Sequence, residues 1–244
     1  FQRAGQGGEG LPRRVGQCQH GRAPVVLAAL HKVLGPPEGV HPLHSPRFVG
    51  NESTYTQECI NSTFVSTVGP FVDRSEEKPA GATGAEKVVA VVNGIAALHI
   101  ALLLSGVKPG DEVLVPALTF VITAAAFRYC GAVPHFVDIE ETTLGMATES
   151  LRKHLHAVAE ISPGGHYSNR HTGRRIRAMV PVRLYGQVCR VEELVDIASE
   201  HNIAVAEDAE VAIGFRLHGR HAGTFADIGT VSFNGNKILT TGGR

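Results

Sequence analysis

Three features of this sequence stand where they could act together on one small molecule. Lys237 follows an apolar run at 229–233 by the short turn Asn234-Gly235-Asn236. Lysine ordinarily prefers solvated surface; held in a partly dry place, its amine is a nucleophile suited to Schiff-base formation. Asp208 closes the apolar run 203–207, and a carboxylate there needs a cation or hydrogen-bond donors to offset its desolvation. Asn93-Gly94 opens an apolar helical stretch, where unpaired amides and the helix dipole favour a phosphate. Each has an ordinary reading too: a surface lysine, a capping or ion-paired aspartate, a plain turn. Taken together they match a ligand with a phosphate, a basic ring nitrogen and an aldehyde. Pyridoxal 5'-phosphate has those handles, with an aspartate keeping the ring nitrogen protonated so that the ring can act as an electron sink. Phe120 is the natural aromatic to lie on the ring face, although it reads equally as a core residue of the following helix.

The elements around these residues must place them at one edge. From position 84 onward, apolar β-branched runs alternate with helical stretches. The run 87–92 (K-V-V-A-V-V) predicts a first strand buried on both faces. Further strands are expected at 112–116, 133–139, 176–182, 203–207 and 229–233, with helices at 95–105, 119–129, 148–159 and 191–201. Such alternation suits an α/β fold, three layers deep (α/β/α), with a mostly parallel sheet and right-handed crossovers. Open sheets of this kind bind ligands beyond the carboxyl ends of their strands. Upstream, 24–34 predicts a short helix stopped by Gly35-Pro36-Pro37, and 41–84 is loop-rich with one helical stretch near 52–61. The stretch 164–175 reads as a polar loop. Residues 1–23, rich in Gly, Gln and Arg, read as a disordered extension or a translated non-coding stretch; the chain opens on Phe1, as one starting inside a longer reading frame would. Three regions result: 1–23, the helix and loop-rich segment 24–84, and a cofactor-binding domain over 85–244.

Composition excludes other classes. In 244 residues, 43% are hydrophobic and 19% charged, the range of a globular chain. Lys plus Arg and Asp plus Glu are 23 each, so no net charge favours nucleic acid or an anionic membrane. The longest apolar tract, 96–104, is interrupted by His99 and is too short to span a bilayer. No G-x-G-x-x-G follows an expected strand, and the P-loop signature and the G-x-S-x-G elbow are missing. Cys18, Cys59, Cys130 and Cys189 lack metal or disulfide spacing and read as reduced thiols of a cytoplasmic protein. His41/His44 and His218/His221 read as surface or loop histidines. Arg170, Arg174, Arg175 and Arg177 have no interleaved aromatics and read as a solvated loop.

Longer motifs go further. P-L-H-S-P-R-F-V-G-N-E at 42–52, F-V-S-T-V-G-P-F-V at 64–72, V-V-N-G-I-A-A-L-H at 91–99, G-D-E-V-L-V-P-A-L-T-F at 110–120, A-E-D-A at 206–209 and S-F-N-G-N-K at 232–237 resemble the sugar aminotransferases of the DegT and StrS type, in the LegC-like branch. The resemblance implies the large domain of the type I pyridoxal-phosphate fold. It implies transfer of an amino group, most often from glutamate, to a 4-keto nucleotide sugar in surface-glycan synthesis. Lys237 would bond the cofactor aldehyde and shuttle protons, and Asp208 would pair with the pyridine nitrogen. Ser232 and the backbone at Gly94, Ile95 and Ala96 would hold the phosphate, and Phe120 would stack. The family's members are usually homodimers, and its C-terminal small domain would lie beyond Arg244.

Several positions depart from the family pattern. Ile95 stands where Thr or Ser is usual, removing a hydrogen bond to a charged group worth about 1.5–3 kcal/mol. Val211 stands where Gln or Glu is usual, with Glu210 one place early; Arg183 replaces a His and Ala125 an Asn. These departures support a rival reading, a catalytically inactive fragment or decayed copy that keeps only the fold or dimerisation.

Overall fold

A computed structural model describes residues 23–35, 45–187 and 189–241; the expectations for 1–22, Cys18, His41 and His44 lie outside them. The chain divides into two compact units, Phe1–His44 and Ser45–Arg244. In the first, α1 (Ala23–Leu34) carries His31 and Lys32 in its last turn, where cations suit the dipole, and Gly35 closes it in the left-handed region.

The second unit begins with α2 (Glu52–Ser62) and α3 (Pro70–Thr83), then α4 (Gly94–Leu104), β1 (Glu112–Pro116), α5 (Val121–Tyr129) and β2 (Val133–Val137). It continues with α6 (Thr148–Val158), β3 (Ala159–Ile161), β4 (Tyr167–Asn169), β5 (Ile176–Met179), α7 (Val191–Glu200) and β6 (Ala204–Asp208), and ends with β7 (Arg216–Leu217), β8 (Arg220–His221) and β9 (Ile228–Thr230). Five strands form one sheet in the order β2-β1-β5-β6-β9, and every pairing in it is parallel. From β1 the chain crosses to β2 on one side and then returns to β5 on the other, so the order reverses between β1 and β5. Such a switch point opens a crevice at the carboxyl ends of the strands.

Side-chain alternation makes the three layers. On β1, Leu114 points into a core shared with Leu151 and Leu155 of α6 and Leu194 and Ile197 of α7. Val113 and Val115 point the other way, against Leu98 and Leu102 of α4 and Ala126 and Phe127 of α5. The helices facing the first core repeat their buried residues at helical spacing, Leu151-Leu155-Val158 and Leu194-Ile197-Ala198. Gly229 is required by close approach: a Cβ there would strike the carbonyl of Gly223.

Three sequence expectations change. The run 87–92 is no strand; it has no regular secondary structure, is mostly exposed, and pairs with no strand among the described residues. A β-branched run specifies an extended apolar segment, but a strand also needs a hydrogen-bonding neighbour. The loop-rich reading of 41–84 missed α3, which starts at Gly69 with Pro70 as its first residue and ends in left-handed Gly84. The polar loop at 164–175 contains β4, antiparallel to β3. Its arginines brace backbone: Arg170 donates to Ala159 O at 3.4 Å and Arg174 to Gly110 O at 3.2 Å, and Arg177 of β5 donates to Gly106 O at 3.3 Å.

Candidate active site

Asp208 ends β6 between two neighbours that fix its backbone. Its N–H donates to Pro181 O at 3.0 Å and its carbonyl accepts from Arg183 N at 3.0 Å. On the other side it is in register with Thr230 of β9. The side chain therefore emerges at the carboxyl edge of the sheet, yet the residue is only 6% exposed. Thr123, in the first turn of α5, donates to Asp208 Oδ2 at 2.7 Å, and the Glu210 N–H donates to Oδ1 at 3.3 Å. Burial, reinforced by the neighbouring Glu210 carboxylate, pushes the Asp208 carboxyl up to about 6; the Thr123 and Glu210 donors and the Lys237 ammonium oppose this in part.

Lys237 reaches the same place from beyond β9. Its backbone N–H closes a turn onto Asn234 O at 2.9 Å, and its ammonium pairs with Glu210 Oε2 at 3.1 Å, both side chains being 11% exposed. Ser232 is buried at the end of β9, its hydroxyl accepting from Asn234 N at 3.4 Å.

The third contributor is the start of α4, which packs on β6 and β9. Asn93 caps it, its Oδ1 accepting from Ala96 N at 2.8 Å. The Ala96 amide is thereby engaged, while the Gly94 and Ile95 amides have no hydrogen-bond partner among the described residues. Gly94 is buried, and a Cβ there would lie 2.5 Å from Glu210 Cδ. The Glu210 carboxyl group thus fills the space that glycine leaves, and its Oε1 is buried without a hydrogen-bond partner.

Of the residues the sequence singled out, Asp208, Lys237 and Gly94 converge through Glu210, with Ser232 at the end of the adjoining strand. Ile95 and Ala96 are half-buried in the first turn of α4. Phe120 immediately precedes α5, one turn before Thr123, and is 54% exposed. Sequence reasoning passed over two members. Thr123 lies 85 residues from its partner Asp208, with no local signal. Glu210 was noticed only as a carboxylate out of place, although that displacement was the signal.

Beneath Asp208 a second buried group holds the strand end. Arg183 Nη2 donates to Glu207 Oε2 at 2.8 Å, with exposures of 1% and 0%. Glu207 also accepts from the N–H groups of Gly223 at 3.1 Å, Phe225 at 2.6 Å and Ala226 at 3.1 Å. The Arg183 guanidinium lies 5.3 Å from the centroid of the Phe225 ring, and its Nε and Nη1 are buried without hydrogen-bond partners. This pair fixes the segment 223–226 to β6. Replacing Arg183 with Met should cost about 3 kcal/mol, softened by the remaining donors to Glu207; urea unfolding measures it, and an unchanged midpoint would contradict the assignment. His221, expected at the surface, is instead buried and accepts from Gly214 N through Nε2 at 2.7 Å.

The geometry was tested against the cofactor inferred from sequence. Gly94 offers a cradle that no side chain could share, with free amides behind it, and an anion already sits against it. Asp208 is a buried carboxylate suited to a protonated ring nitrogen, and Lys237 presents the amine. The donor set fits pyridoxal phosphate. The parallel sheet with helices on both faces is the fold that the resemblance implies, and the residues at its carboxyl edge are of the kinds that pyridoxal phosphate needs.

Comparison with known proteins gives the family. Residues 47–243 match the DegT/DnrJ/EryC1/StrS aminotransferase family, and the chain belongs to it. It is similar to GDP-perosamine synthase of Caulobacter vibrioides, 39% identical over 198 residues, covering 81% of this chain and 49% of that protein. It is 36% identical over 201 residues to the putative pyridoxal phosphate-dependent aminotransferase EpsN of Bacillus subtilis, covering 82% of this chain and 49% of EpsN. Among solved structures it resembles DesI, determined in the presence of its TDP-sugar product, with a TM-score of 0.70, 28% identity, and coverage of 88% of this chain and 51% of DesI. The chain spans about half the length of the curated relatives it matches. Among the described residues, no helix is long and apolar enough to cross a membrane.

Proposed function

We propose that this chain is the cofactor-binding part of a cytoplasmic transaminase that moves an amino group, from glutamate, onto the keto carbon of a nucleotide-linked sugar. The observation that carries the reading is the convergence of Asp208 and Lys237, 29 positions apart in the sequence, on one buried cluster at the start of α4. The names of GDP-perosamine synthase and of DesI with its TDP-sugar product support the nucleotide-sugar substrate class.

When bound, pyridoxal phosphate supplies an electron sink that stabilises a carbanion at the donor α-carbon. The chain's own residues do the rest. Asp208, kept in place by Thr123, by the backbone of Pro181 and Arg183 and by β9, would pair with the pyridine nitrogen and hold its proton. Lys237 Nζ would hold the cofactor aldehyde and move a proton at the donor α-carbon. Ser232 and the Gly94 and Ile95 amides would hold the phosphate, with Ala96, whose own amide is spent on Asn93, beside it. Phe120, exposed just before α5, would cover the ring face. A second copy of the chain completes the pocket in a homodimer.

The test is to load the chain with pyridoxal phosphate and add glutamate. The visible band of the bound cofactor should bleach as 2-oxoglutarate forms, and a 4-keto nucleotide sugar should restore it. A band that glutamate leaves unchanged would remove glutamate as donor. The unpaired run 87–92 favours the second reading, a relative that keeps the fold and has lost catalysis; a loaded chain inert to every amino donor would establish it.

A further inference from the structure

We infer that Glu210 is a resident competitor of the cofactor: its carboxylate occupies the anion seat at Gly94 and ties up Lys237, and it must leave both before the cofactor can take them. This inference rests on the cofactor reading above and adds to it a residue that opposes loading.

Three observations support it. First, the Glu210 carboxyl group stands where a Cβ on Gly94 would be, 2.5 Å from Cδ and 2.8 Å from Oε2. The space at the start of α4 that suits a phosphate is therefore filled by an anion belonging to the chain. Second, that carboxylate is incompletely satisfied. Oε2 has the Lys237 ammonium at 3.1 Å, but Oε1 is buried with no hydrogen-bond partner. An oxygen buried without a partner carries a desolvation cost, so a better ligand at this seat can displace it. Third, the charges are unbalanced. Asp208 and Glu210 are two carboxylates in contact through the Glu210 N–H, with Lys237 the one cation paired to either of them among the described residues. A phosphate added beside an unmoved Glu210 would bring further negative charge into a buried place.

The ion pair has a consequence for the amine as well. Nζ is engaged by Glu210 Oε2 at 3.1 Å, so the pair must open before a covalent bond forms. Glu210 therefore acts twice against loading, once at each end of the ligand. It touches Lys237 directly, and in the loaded chain it is expelled from between Gly94 and Lys237.

The experiment is a titration of the 244-residue chain with pyridoxal phosphate, read by visible absorbance and by equilibrium dialysis. The wild type, Glu210→Gln and Glu210→Ala are compared, and pyridoxal without its phosphate is titrated in parallel. Removing the charge should tighten pyridoxal phosphate binding by about tenfold, the effect of one unfavourable neighbouring charge on a buried ionic group. Glu210→Ala should show the same direction, which guards against a Gln side chain that merely refills the seat. The gain should be smaller for pyridoxal, which places nothing at Gly94. Equal cofactor affinity in all three proteins, with the band present, would overturn the competitor role and leave the cofactor reading standing. Weaker binding in both variants would overturn it by making Glu210 a ligand. An equal gain for pyridoxal would remove the Gly94 seat from the account. Absence of binding by every protein would defeat the cofactor reading and this inference with it.

Discussion

Replacing Lys237 with alanine is expected to abolish covalent retention of pyridoxal phosphate and leave the fold standing. Nζ is the amine of the cluster, 3.1 Å from Glu210 and close enough to lower the Asp208 carboxyl electrostatically. The backbone at 237 contributes one turn hydrogen bond, to Asn234 O, which alanine keeps. The structural cost is that of one charge-assisted contact between largely buried groups, about 1–3 kcal/mol. The functional effect should be complete, because among the described residues Lys237 is the only lysine acting on Asp208 and Glu210. The visible band seen with wild type should vanish, while urea unfolding shifts by no more than the stated cost. A second readout follows from electrostatics: with its cation gone, the Asp208 carboxyl should rise above about 6. A variant that retains the band would show that another lysine holds the cofactor.

Asp208→Asn should have the next largest effect, with opposite signs on binding and on stability. A neutral amide cannot offset a protonated ring nitrogen, so cofactor affinity should fall by about 10- to 100-fold, the worth of one charge-assisted hydrogen bond. The unloaded chain should behave differently. Asp208 sits at about 6 in the fold against an ordinary 3.8. Between those values the native state binds more protons than the unfolded chain, so stability falls as pH rises. The penalty is absent below the unfolded value, grows through the window, and is complete above the folded value at about 3 kcal/mol. Asn removes that penalty and loses part of its gain where its amide faces the Glu210 N–H. Urea midpoints measured from about pH 4 to 7 should decline for wild type and flatten for Asp208→Asn. Parallel curves would place the titrating group elsewhere.

The contrast between these two residues and their surroundings shows what a sequence can and cannot convey. Asp208 and Lys237 were readable because each closes an apolar run, and the end of a parallel strand is where such a sheet meets a ligand. Likewise E-V-L-V-P alone predicted β1 at its observed bounds, 112–116, since a short apolar run between turns leaves few alternatives. K-V-V-A-V-V looked no different, yet 87–92 pairs with no strand among the described residues; pairing is a property of the neighbour, not of the run. The helix α3 was hidden by its own breakers, Pro79 and Gly81, which lower propensity without overriding the turn chemistry at Gly69 and Gly84. The contacts of Thr123 and Glu210 were hidden for a different reason. Their partners lie 85 and 27 residues away, and only the β1-β5-β6-β9 order of the sheet brings them together. Family motifs located the site, but their usual residue stands three places beyond the aspartate, at Val211, and so gave no account of a carboxylate at Glu210 facing Gly94.

The account stands on Lys237 being the amine that takes the cofactor. The most direct measurement is to incubate the chain with pyridoxal phosphate, trap the adduct with borohydride, digest it and locate the label by mass spectrometry. The account predicts a single labelled residue, Lys237, with labelling lost when Asp208 is changed to Asn at limiting cofactor. Label spread over other lysines such as Lys87, Lys108 or Lys153, or no stable label at all, would contradict it.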